Sequence, residues 1–190
     1  MTMTRLPAHS RTRARALAFG AGALIFGASL ALHPILLDPA AESLAYRTIA
    51  LDRIWPLIHW GALLGLTLWT LPLLCDADTA PAARQTLGVG LALWATVLSF
   101  EAVALVRLTA VGVPGLWAWT LAVGYLGAAF DGVGLLLIGW HGAALVEASG
   151  GVIAAGSLLA YAVPGIALPV LVAAGGGALA ATIVALRRWW

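Results

Sequence analysis

From Gly150 to Leu186 the chain reads GGVIAAGSLLAYAVPGIALPVLVAAGGGALAATIVAL, without one charged residue. As a single helix rising 1.5 Å per residue this stretch would be roughly 55 Å long, too long for a hydrocarbon core of roughly 30 Å. Pro164-Gly165 and Pro169 interrupt it near the middle, because proline removes a helical hydrogen bond and clashes with the preceding turn. The stretch therefore divides into a short span over 151–163 and a second over 169–186. A single tilted span preceded by a half-membrane segment is the alternative division.

Arginine placement decides between them. The chain has ten arginines and no lysine. With six spans and a cytoplasmic N-terminus, Arg5, Arg11, Arg13, Arg15, Arg84, Arg187 and Arg188 fall inside, and Arg47, Arg53 and Arg107 outside, as the positive-inside rule requires. With five spans the last two arginines change sides and the bias disappears. The expectation is an all-α polytopic bundle of about six helices with short loops and both termini cytoplasmic. A basic tail over 1–15 precedes one transmembrane domain over 16–190, with spans over 16–37, 53–74, 85–109, 117–140, 151–163 and 169–186.

Composition agrees with a lipid environment. Of the 190 residues, 62% are hydrophobic and 9% charged, where soluble domains are about half apolar and a quarter charged; the mean hydropathy is +0.99. Cys75 is the only cysteine, which excludes an intrachain disulfide and a cysteine-based zinc site. The arginine-rich start followed by Ala16 to Leu32 has the layout of a signal peptide, yet the apolar run is long and no A-x-A site follows it. An uncleaved anchor is the reading taken. The basic residues form no surface able to follow a phosphate backbone, so nucleic acid is not an expected partner.

Between the first two spans, AAESLAYRTIALD (40–52) mixes apolar and charged residues at near-helical spacing, as a short surface helix does. Gly61 and Gly65 in the second span would let another helix approach closely. The tryptophans at 55, 60, 69, 117, 119, 140, 189 and 190 are expected mostly as interface anchors.

An ionisable group in the hydrocarbon core costs at least about 2.5 to 3.5 kcal/mol, so each one asks for a partner or a role. The six-span register places His33, His59 and Glu101 at similar depth, roughly 6 to 14 Å below the outer boundary, with Arg107 just above them. These three are the candidate pocket, with Arg107 and Trp55 as supports. Asp131, deeper on a face with Gly124, Gly127, Ala128 and Gly134, is a further polar partner packed against protein. His141 and Glu147 read as solvated residues near the cytoplasmic side.

Two imidazoles and a carboxylate suit a proton, a divalent metal ion (ligands His33, His59 and Glu101) or a small polar ligand. His33 and His59 as axial ligands of one b-type haem are the cofactor alternative, although no cofactor at all is the first expectation. HExxH, G-x-S-x-G, P-loop and G-x-G-x-x-G are all absent, so no enzyme class is indicated. LHP at Leu32 to Pro34 and W-x-x-x-H from Trp55 to His59 resemble small multi-spanning membrane proteins of high-GC bacteria. That resemblance implies a multi-pass protein of the bacterial inner membrane and carries no activity. The small-residue faces also fit a homo-oligomer or an accessory subunit of a larger membrane complex.

Overall fold

The computed structural model describes residues 8–34, 36–138 and 144–190. Seven helices account for most of it: α1 (Ala8–Leu32), α2 (Glu42–Leu51), α3 (Trp55–Leu74), α4 (Pro81–Leu108), α5 (Leu116–Leu136), α6 (Ala144–Ala162) and α7 (Ala167–Trp189). No strand occurs among the described residues. In hydrocarbon every backbone N–H and C=O must be satisfied within its own segment, and helices do so. Five helices, all but α2 and α6, are long and apolar enough to cross a membrane, and Val146–Ala162 within α6 is a shorter apolar helix. The chain is a multi-pass membrane protein.

Arg15, in the first half of α1, pairs with Asp76 at 3.3 Å and donates to the Cys75 carbonyl at 2.8 Å, just past the end of α3. Arg188, at the end of α7, pairs with Asp78 at 2.6 Å in the same loop. The start of α1, the α3–α4 loop and the end of α7 therefore share one end of the bundle. The helices form a ring in which each packs on its sequence neighbour, with α2 left out at one end and α7 returning to α1. Phe19 of α1 closes that ring against Trp69 and Trp189, with ring centroids 5.2 and 5.4 Å away.

Several boundaries differ from the sequence reading. The α1 helix ends at Leu32 rather than near 37, because Pro34 disfavours helical backbone at the residue before it; His33 thus stands just beyond the helix. At its start α1 reaches back to Ala8, so the basic segment over 1–15 is partly helical. The break at Pro164 is a single turn of 3₁₀ helix, Pro164–Ile166, and α6 begins at Ala144, seven residues earlier than the span over 151–163. The expected end of the fourth span, Trp140, lies outside the described residues, as does His141.

Four of the tryptophans are core residues and not belt anchors. Trp55, Trp69, Trp117 and Trp189 are buried, whereas Trp60, Trp119 and Trp190 are exposed. Trp69 donates its indole N–H to Thr182 Oγ1 at 3.2 Å, and Trp117 donates to the Asp38 carbonyl at 3.1 Å. Buried indole N–H groups need such acceptors, which water would supply at an interface. Exposed Leu17, Leu24, Leu64, Leu126, Val172 and Leu179 form the outer surface that lipid covers.

The α1–α3 seam is tight because Gly22 faces the α3 backbone at Trp69 and Gly65 faces the α1 backbone at Phe26. A Cβ at either position would overlap main-chain atoms, which cannot rotate away. Gly65→Leu is expected to lower the thermal midpoint of the protein in detergent, at a cost of roughly 1–3 kcal/mol or more. Gly27→Leu, where a Cβ meets open space, should leave that midpoint unchanged, and differential scanning measures both.

At the far end of the bundle α2 is clamped to the start of α5. Glu42 accepts the backbone N–H groups of Gly115 at 3.1 Å and Trp117 at 3.3 Å, while Tyr46 O–H, 2.7 Å from Glu42 Oε1 and 2.6 Å from the Val113 carbonyl, shares one hydrogen between them. The Tyr46 hydroxyl first, then these N–H groups, hold the Glu42 carboxyl below its ordinary 4.5, and burial with Glu42 beside it pushes Tyr46 up to about 12. A lowered carboxyl pKa stabilises the folded form above about pH 4.5, and that stabilisation is lost as pH falls through the lowered value. The protection factor of the Gly115 amide, its exchange relative to the intrinsic rate at each pH, should therefore fall in acid, and Glu42→Gln should make it low and largely independent of pH over that range.

Candidate functional site

Three side chains from three helices meet in a row at the end of the bundle nearer α2. His59 lies one turn into α3, His33 directly after α1, and Glu101 at the point where α4 widens. His33 Nε2 is 3.3 Å from His59 Nε2, and His59 Nε2 is 2.9 Å from Glu101 Oε2. His59 is 1% exposed and Glu101 8%, whereas His33 is half-buried, so the row runs from the accessible edge of the bundle into its interior.

The outer nitrogens of both imidazoles are already committed. His59 Nδ1 lies 2.7 Å from the Trp55 carbonyl, and His33 Nδ1 lies 2.6 Å from the Pro34 carbonyl. A carbonyl oxygen can only accept, so each Nδ1 carries a hydrogen, an assignment made from these acceptors. In two neutral rings both Nε2 atoms would then present lone pairs to each other, with a carboxylate oxygen beside them. Such a convergence of electron pairs is repulsive unless an electrophile sits among them.

Trp55 builds the wall around this row. Its indole ring stacks 4.3 Å from His59 and 4.9 Å from His33, centroid to centroid, and its Nε1 donates to the Glu101 carbonyl at 3.1 Å. That carbonyl belongs to a π-helical turn, Glu101–Leu105, inside α4. A π turn widens the helix by one residue and often marks a functional site. Here Glu101, the first residue of the widened turn, offers its carbonyl to the Trp55 indole and its carboxylate to His59.

The other expected members lie elsewhere. Arg107, beyond the widened turn, is exposed and forms no ion pair with Glu101 among the described residues. Asp131 does not join the row. It packs against Gly90 of α4, with the indole of Trp94 beside it, and Gly90 is about 16 Å along α4 from Glu101. Glu147 is half-buried near the start of α6. Sequence reasoning missed Trp94, the π turn and the Pro34 carbonyl; only Trp94, spaced to meet the glycine face of α5, left a readable signal.

The row suits some ligands better than others. His33 and His59 touch at 3.3 Å with ring planes 63° apart, which leaves no slot for a porphyrin between them, so the b-type haem reading does not fit. Among the described residues no group of three or more His, Cys, Asp or Glu side chains is arranged to hold a metal ion. The reason is shape. His33 and Glu101 each meet His59 Nε2 and form no ion pair with each other, whereas a tetrahedral zinc ion needs its donors spread around a shared centre.

Trp55→Phe keeps the ring stack and deletes the indole N–H. It is expected to destabilise the protein by about 1–3 kcal/mol, the cost of leaving a buried acceptor without its donor. The same variant should shift the His59 imidazole resonances, because Glu101 is no longer held toward them. No protein family matches this chain, and no curated protein or solved structure shows significant similarity to it.

Proposed function

We propose that this multi-pass protein resides in a bacterial inner membrane with both ends cytoplasmic, and that it binds and passes protons on the His33–His59–Glu101 row in its outer half. The membrane orientation is supported by Arg15, Arg84, Arg187 and Arg188, which lie at the end of the bundle shared by the start of α1, the α3–α4 loop and the end of α7. The proton assignment is supported above all by one observation: both Nδ1 hydrogens are committed to backbone carbonyls, leaving two Nε2 atoms 3.3 Å apart.

Charge counting gives the resting state. Two neutral imidazoles, one carboxylate and one added proton sum to zero, which is the least costly total charge in a low-dielectric setting. The proton sits at His59 Nε2, within reach of both neighbours. A second proton arriving at half-buried His33 makes the row cationic and drives one proton on toward Glu101. Each transfer exchanges one N–H or O–H bond for another, with no change in the Nδ1 hydrogens. Imidazole is suited to this traffic because its ordinary pKa lies near neutrality.

Nitrogen-15 NMR of histidine-labelled protein in lipid bilayers tests the reading. Expected are protonated Nδ1 atoms on both rings and one shared proton across the Nε2 pair at neutral pH. Glu101→Gln removes the negative charge and should make that proton leave at lower pH. Two rings that titrate independently, or an Nε2–H tautomer with bare Nδ1 on either ring, would sink the proposal.

A further inference from the structure

A second ionisable side chain is buried outside the row. Asp131 of α5 is 6% exposed, and its Oδ1 has no hydrogen-bond partner. The carboxyl group lies on the α4 main chain at Gly90, so closely that a Cβ there would overlap it. Gly90 is about 13 to 14 Å from the start of α4 at Pro81, which places Asp131 in the half of the bundle opposite the histidines. Between them lies an apolar layer of Ala62, Val97 and Leu98, with Phe26, Leu63 and Val123 packed on it. No charged side chain among the described residues acts on Asp131; the Trp94 indole is the polar group beside it.

A carboxylate in that position would be an unpaired charge in a low-dielectric interior, and such a group takes up a proton to remove the charge. From this geometry we infer that Asp131 is held as a neutral carboxylic acid at neutral pH and is a site for covalent modification by a hydrophobic carbodiimide. The chemistry balances. The acid proton moves to one carbodiimide nitrogen and the carboxylate oxygen adds to the central carbon, giving an O-acylisourea; an acyl shift from oxygen to nitrogen then gives a stable N-acylurea with nothing released. An ionised carboxylate lacks the proton that starts this reaction. Because the apolar layer separates the two places, Asp131 exchanges its proton independently of His33, His59 and Glu101, and only when water reaches the α4–α5 seam.

Infrared spectroscopy of the full chain in lipid vesicles provides the first test. A carbonyl band of protonated carboxylic acid is expected at neutral pH, retained in Glu101→Gln and lost in Asp131→Asn. A wild-type spectrum without such a band, or a band that Glu101→Gln removes entirely, overturns the inference. Treatment of the wild-type protein with dicyclohexylcarbodiimide, followed by peptide mass mapping, gives a second readout that needs no variant to fold. A modified Asp131 supports the assignment, and an unmodified Asp131 in protein labelled there by a water-soluble carbodiimide overturns it. Neither result depends on the histidine tautomers, so failure here leaves the proton row standing, and failure of the row leaves this site standing.

Discussion

The contact on which the rest depends is the meeting of α1 and α3 at Gly22 and Gly65, where each helix presents a bare backbone to the other. Without a hydrophobic force between helices in lipid, close van der Waals packing of small residues is what holds two of them together. From that contact α1 continues to Leu32 and delivers His33 above the first turns of α3, where Trp55 and His59 wait. A wider seam would separate the imidazoles, and nothing in either histidine's own helix could bring them back. Ser29, buried against Gly61, continues the same seam toward the row.

The second determinant is the local departure of α4 from regular helix. A continuous α-helix would carry Glu101 and its carbonyl on a phase fixed by the residues before it. The turn Glu101–Leu105 alters the phase of the residues that follow it, and the Glu101 carbonyl at its start accepts from the Trp55 indole. One tryptophan thus fixes three things at once: the helix distortion, the stacking of both imidazoles, and, through its own carbonyl, the tautomer of His59. Its burial to 0% exposure follows from those contacts.

Much of this was legible before any coordinates. Apolar runs of about twenty residues are an unambiguous signal, because bilayer thickness and helical rise set their length together. The Pro164 to Pro169 break was legible for the same reason, and common depth put His33, His59 and Glu101 near one level. What the residues could not disclose was lateral position. Hydropathy reports depth and says little about which helix stands beside which, so Asp131 read as a deeper partner of the histidines while it actually faces Gly90 on another seam. Tryptophan posed a similar ambiguity: Trp55 and Trp60 look alike as interface anchors, yet one is wholly buried and the other exposed. Trp55 packs against α4 and donates its indole N–H to the Glu101 carbonyl there, and that neighbour is not written in the hydropathy of α3.

The ring of helices has a consequence for biogenesis. Helices enter the bilayer in chain order, and α1 finds α3 early, but its other neighbour is α7, the last to arrive. Until then Phe19, 1% exposed in the finished bundle, and Trp69, whose indole awaits Thr182, face lipid or a stand-in. The ring therefore closes across a gap between α1 and α7, locked from the aqueous side by Arg188 on Asp78. A chain halted before α7 would hold His33, His59 and Glu101 yet remain an open arc with an unfilled groove along α1.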